Sequence, residues 1–188
     1  MTLFPQATPP AHSAPPAGAA PASRNAGASP APAGKPRWDD RGKGKSLTLH
    51  FDGGSRGNPG PAGIGVTLTD DDGTPLYELA EFLGRCTNNV AEYTALVRGL
   101  HAAHALGAAK LAVRSDSELL VRQINGIYKV KSPDLKPLFQ KAVALIHAIG
   151  DVTVSHIYRE GNTRADELAN LAMDTTRKSE PLGPLPQH

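Results

Sequence analysis

Cysteine is nearly absent from this chain: Cys86 is the only one in 188 residues. A single thiol excludes an intrachain disulfide and a cysteine zinc site, and it suits a reducing cytosol, so a cytoplasmic location is expected. Long apolar runs are also missing. None approaches the ~20 residues that span a bilayer, so no membrane partner is expected. The N-terminus lacks a charged stretch followed by an apolar one, so it does not read as a secretory signal. Strong net charge is absent as well. The formal value of +2 does not announce a polyanion partner.

The remaining composition is that of a globular protein, with 39% hydrophobic and 20% charged residues. Basic residues cluster twice, at Arg37, Arg41, Lys43 and Lys45 and again at Lys129, Lys131, Lys136 and Lys141. Such patches can serve as solvated faces or as phosphate contacts. Residues 1–46 are dominated by Pro, Ala, Gly and Ser, and are expected to be disordered because they carry too little large apolar surface to offset ordering entropy. A tether explains that tail more simply than a docking arm for a protein partner. Trp38, near its end, can pack on the domain or stack on a base. Residues 177–188 are expected to form a flexible C-terminal tail, which leaves 47–176 as the folded domain.

Within the domain, "SLTLHFDGG" alternates Leu47, Leu49 and Phe51 and reads as a strand. "AGIGVTLTD" and "PLYELAEFLG" follow as strands about a "DDGT" turn. From Asn88 to Leu106, Val90, Tyr93, Val97, Leu100 and His104 recur at helical spacing, with Thr87 or Asn88 as cap and Gly107 as stop. "KLAVRSD" is a strand, and "SELLVRQING" a helix stopped by Gly126. Pro133 opens a helix that ends near Gly150, and "DVTVSHIY" is a strand. "NTRADELANLAMD" is the last helix, with Leu168, Leu171 and Ala172 on one face. The order β-β-β-α-β-α-α-β-α predicts an α/β fold: three antiparallel strands, then parallel additions to one mixed sheet.

Four acids stand out. Asp52 ends the first strand inside "FDGGSRGNPGPAG". Asp before Gly-Gly can be a plain turn former, yet Gly53, Gly54, Gly57 and Gly60 exceed what a hairpin needs and permit close backbone approach. Glu92 lies four residues after Asn88, on the same helix face; it can equally be a first-turn acid favoured by the helix dipole. Asp116 follows a strand just before a helix, where open α/β sheets place ligands, and where Asp also serves as an N-cap. Asp166 sits three residues after Thr163, a capping-box variant, and shares a face with Asn170. Together the four can converge at one sheet edge. Converging carboxylates repel in a low-dielectric cleft, and hard divalent cations relieve that repulsion. Two such ions ~4 Å apart can activate a water and stabilise a leaving oxygen in phosphoryl displacement.

At these residues the sequence resembles the type 1 ribonuclease H family. The likeness rests on "FDGGSRGNPGPAG", "TNNVAEYTAL", "SDSELLVRQINGIYKVKSPDL" and "NTRADELANLA", in that order, over nearly the whole folded part. "YKVKSP" looks like the compact subgroup without a long basic handle. The resemblance implies a ribonuclease H-like five-stranded mixed sheet with helices on both faces. It implies endonucleolytic cleavage of the RNA strand of RNA–DNA hybrids, leaving 5′-phosphate and 3′-hydroxyl ends. It makes Asp52, Glu92, Asp116 and Asp166 catalytic ligands for Mg²⁺, or Mn²⁺, as two ions. Asn58, Asn88, Asn89 and the backbone at Gly53 and Gly54 become hybrid contacts, and a monomer is expected. Selectivity for RNA requires sensing the 2′-hydroxyl, which amide and backbone groups can do.

The chain departs from the family pattern twice. Many members carry a mobile histidine before the last acid; here "SHIYREGNTRAD" is short, His156 reads as part of the strand, and Arg159 is an auxiliary candidate that can contact phosphate. Glu118 stands where glutamine is common. Two other functions remain readings of the sequence: a non-catalytic hybrid-binding module, and a related DNA nuclease such as a resolvase or exonuclease.

Overall fold

The computed structural model describes residues 42–176. The expectations for the two tails therefore fall largely outside the described residues, as do Arg37, Trp38 and Arg41. Residues 42–45 are tied to the domain: Gly42 is buried, the Gly44 N–H donates to the Gly107 carbonyl at 3.0 Å, and Ala109 N–H to the Lys45 carbonyl at 2.9 Å.

Strict alternation of buried Leu47, Leu49 and Phe51 with half-exposed neighbours gives the first strand one core face, as period-two patterning requires. The elements run β1 (Ser46–Ser55), β2 (Gly60–Asp70), β3 (Pro75–Cys86), α1 (Asn88–Ala105), β4 (Lys110–Ser115), α2 (Glu118–Ile124), α3 (Lys136–Ile149), β5 (Asp151–His156) and α4 (Thr163–Thr175). That is the order read from the sequence. The strands form one five-stranded sheet in the order β3-β2-β1-β4-β5. β1–β2 and β2–β3 pair antiparallel, and β1–β4 and β4–β5 pair parallel. From Ala62 to Leu68, β2 is buried at every position, because helices cover the sheet on both sides there.

Four details differ from the sequence reading. Strand β1 does not end at Asp52 but runs on to Ser55, because Gly53, Gly54 and Ser55 continue the ladder with Ile64, Gly63 and Ala62 of β2. In α1 the buried set is Ala91, Tyr93, Ala95, Leu96, Gly99, Leu100, His101, Ala102 and Ala103, while Val90, Val97 and His104 are only half-buried. The buried arc is wide because α1 lies between the sheet and α3. Helix α3 begins at Lys136 rather than Pro133: the Ser132 carbonyl accepts from both Leu135 and Lys136 N–H at 3.2 Å, closing a turn first. Pro137 then sits in the first helical turn, where its missing N–H forfeits no bond. In α4, Leu171 is 45% exposed, and Ala165, Leu168, Ala169 and Ala172 form the buried face. Those small residues lie over Gly63 and Gly65 of β2.

From β1 the chain turns to β2 on one side; from β4 it reaches β5 on the other. The two neighbours are parallel, and their ladder ends at His50 and Arg114. Beyond that rung lies the switch point between the two halves of the sheet, the position at which such sheets bind ligands.

Candidate active site

Two glycines let helices close on Asp52 from opposite faces. A Cβ on Gly53 would collide with the α1 backbone at Ala91 and Glu92. A Cβ on Gly65, the β2 partner of Asp52, would collide with the Ala165 carbonyl of α4. Bare backbone at these two points lets the first turns of α1 and α4 touch the sheet. Glu92 and Asp166 ride on those turns.

The result is a cleft of about 320 Å³ lined by Asp52, Glu92, Asp116 and Asp166, with Gly53, Gly54, Asn88 and Arg159 also in its wall. Eight of the residues singled out from sequence thus meet in one place. Asn58 stands beside it, its Oδ1 accepting from the Asn88 backbone N–H at 3.2 Å. Asn89 is exposed and does not line the cleft. Lys129, Lys131, Lys136 and Lys141 are exposed away from the cleft, and Lys45 pairs with Asp70 at 3.5 Å.

Each acid has a different set of donors. Glu92 accepts at both oxygens, from Asn88 Nδ2 at 3.1 Å and from Ser117 Oγ at 2.7 Å. Asp116 Oδ1 accepts from Asn162 Nδ2 at 2.8 Å. Asp166 accepts from Arg159 at 2.7 Å on Oδ1 and from Asn170 Nδ2 at 3.1 Å on Oδ2. For Asp52 the structure gives only the backbone N–H of Gly53. Burial, then the charges of Asp116 and Asp166, push the Asp52 carboxyl up to about 6. Burial also pushes Glu92 up to about 7, with Ser117 opposing and Asp52 and Asp116 reinforcing the shift.

Ser117, Asn162 and Asn170 were not among the site residues expected from sequence. Asn170 shares the face of Asp166 in the sequence pattern, and Asn162 carries the same i, i+4 signal before Asp166 that singles out Asn88 before Glu92. Ser117 follows Asp116 directly, and only the fold brings it to Glu92. The helix-cap readings of Asp116 and Asp166 fail on geometry. Ser117 is the N-cap of α2 and Asn162 that of α4, and neither side chain makes a capping bond. Thr163 Oγ1 instead donates to the Glu160 carbonyl at 3.0 Å.

The short loop behaves as its length suggests. His156 ends β5, exposed, with its ring edge-on to Tyr158 at 6.0 Å. Arg159 opens a 3-10 turn, Arg159–Gly161, and its guanidinium sits against the acids, with its pKa raised first by Asp166. Glu118 points elsewhere: it is 61% exposed and bonds Arg122 at 2.6 Å.

The donor set fits hard divalent cations. It is all oxygen, and the mutual repulsion of its acids is what a cation relieves. Three of the four acids, Glu92, Asp116 and Asp166, are tied to amide, hydroxyl or guanidinium donors.

A mixed sheet of this order, with four acids gathered beside its switch point, defines an α/β fold whose ligand site lies where the strand order reverses. A family model described as "Reverse transcriptase-like" matches residues 50–172. The Ribonuclease HI of Halobacterium salinarum is 41% identical over 132 residues, covering 70% of this chain and 66% of its own. LC11-RNase H1, solved in complex with an RNA/DNA hybrid, superposes with a TM-score of 0.66 at 47% identity, covering 69% of this chain and 98% of that one. The chain belongs to the ribonuclease H family, with the type 1 fold. The Bifunctional protein Rv2228c of Mycobacterium tuberculosis is 48% identical over 134 residues, or 71% of this chain. The match spans only 37% of that relative's length.

Proposed function

We propose that this chain is an endoribonuclease that hydrolyses the RNA strand of RNA–DNA hybrids and leaves 5′-phosphate and 3′-hydroxyl ends. The observation that carries the reading is the convergence of Asp52, Glu92, Asp116 and Asp166 in one cleft whose wall also holds Gly53, Gly54 and Asn88. The four acids would hold divalent cations, Mg²⁺ or Mn²⁺ and two with substrate. When bound, these would supply a water activated for attack and stabilisation of the leaving oxygen.

The chain's own groups account for the rest. Asn88 orients the Glu92 carboxylate and presents a donor beside it, suited to a ribose hydroxyl. The backbone at Gly53 and Gly54 is open to close approach by a sugar-phosphate strand, and Asn58 and Asn89 stand nearby to contact it. Arg159, 76% exposed, offers a guanidinium that can pair with phosphate or remain on Asp166.

The test is cleavage of an end-labelled RNA–DNA hybrid with Mg²⁺ or Mn²⁺, beside single-stranded RNA and duplex DNA. Hybrid alone is expected to be cut, and Asp52→Asn is expected to lower the rate by orders of magnitude while still binding hybrid. Hybrid left intact at the level of that variant overturns the proposal.

A further inference from the structure

Asn162 is 1% exposed, and its amide reaches in two directions. Nδ2 donates to the Phe51 carbonyl of β1 at 2.9 Å and to Asp116 Oδ1 at 2.8 Å. Phe51 immediately precedes Asp52 within β1, so this one nitrogen joins the strand carrying one acid to the side chain of another. The Asn162 carbonyl, in turn, accepts the Asp166 N–H at 3.1 Å. Three of the four acids are therefore tied to a single residue, at the point where the β1–β4 ladder has ended.

The ordinary role of an N-cap asparagine is to aim its oxygen at the N–H groups of the first turn. Here Oδ1 is buried without a hydrogen-bond partner while the nitrogen carries both bonds. The orientation follows from chemistry, since the Phe51 carbonyl and the Asp116 carboxylate are both acceptors and need a donor between them. Leaving a buried oxygen unbonded costs stability. The arrangement accepts that cost and keeps the donor on the acid.

We infer that Asn162 is a positioning residue of the active site, whose amide sets the placement of Asp116 relative to Asp52. The inference rests on the hydrolytic reading above. It separates from a purely structural role by readouts that folding alone does not move, Mn²⁺ affinity without substrate and kcat against KM, in a variant that stays folded.

Asn162→Ala and Asn162→Asp are compared with the wild-type chain by metal-free thermal unfolding, by calorimetric Mn²⁺ binding without substrate, and by kcat and KM on hybrid. Asn162→Ala is expected to lose roughly 10–100-fold in Mn²⁺ affinity and in kcat, as for other groups that orient metal ligands, with KM for hybrid little changed. Asn162→Asp is expected to lose kcat at least as far. Wild-type Mn²⁺ affinity and kcat in a folded Asn162→Ala, or wild-type kcat in Asn162→Asp, overturns the inference. If Asn162→Ala does not fold, the Asp variant decides. If the wild type itself leaves hybrid intact, the hydrolytic reading fails, and Mn²⁺ affinity in Asn162→Ala still decides the role of Asn162.

Discussion

Asp52 and Glu92 are perturbed in the opposite direction from Asp70 and Glu78. Asp70 is held below its usual range by the backbone N–H of Thr74 and the charge of Lys45, although its own desolvation opposes this. Arg164 likewise lowers Glu78. Asp52 and Glu92 are instead raised, to about 6 and about 7, chiefly by burial. Between the unfolded values near 4 and these folded ones, the folded chain binds more protons than the unfolded chain, so stability falls as pH rises through that window. Without metal, Asp52→Asn is therefore expected to be more stable than wild type at pH 8, by about 1–2 kcal/mol after allowance for screening, and equally stable at pH 4. Thermal unfolding in a chelating buffer at the two pH values measures this. By the same linkage, cation affinity is expected to rise from pH 5.5 to 8 as the two acids lose their protons, measurable by calorimetry. Ser117→Ala offers a further check. Because the hydroxyl serves Glu92 and not the helix end, its loss should cost less than the ~1 kcal/mol of a true cap while weakening cation binding roughly 10-fold.

Among the elements, β1, α1 and α4 meet where side chains are missing. Gly53→Ala or Gly65→Ala forces backbone apart on one face of Asp52, with an expected cost of about 1–3 kcal/mol and loss of cleavage. Gly54→Ala meets only the Met173 methyl at 3.6 Å and should fold as wild type does, which separates crowding from a general intolerance of change in this loop. Chemical denaturation and the hybrid assay report both outcomes. The strands and helices were legible in the sequence because their patterns are local: alternation at Leu47, Leu49 and Phe51, and caps at Thr87 and Gly107. Three of the acids were legible because glycine or asparagine stands beside them or one helical turn away, Gly53 after Asp52, Asn88 before Glu92 and Asn170 after Asp166, and Asp116 was legible from its place between a strand and a helix. What stayed hidden depends on distant partners. Nothing local at Leu171 says that α4 presents Ala165 and Ala169 to glycines about a hundred residues earlier. Nor does Ser117 announce that its hydroxyl crosses to a helix 25 residues upstream. Nor does Asn162 announce that its amide reaches Phe51 and Asp116, 111 and 46 residues earlier.

Across the whole molecule, the four acids come from β1, α1, the end of β4 and α4, the last described helix. Adjacent strands β1 and β4 are joined by a connection containing β2, β3 and α1, and α4 reaches back over that connection to lie on β2. No run of consecutive elements shorter than nearly the entire domain contains the site. Contacts of such long sequence separation form late, because the closure entropy must be met before they can reward it. A chain still emerging from synthesis, or one refolding from denaturant, has helices and a hairpin before it has a cleft. The complete set of four acids is thus withheld from every form in which the last described helix has not docked.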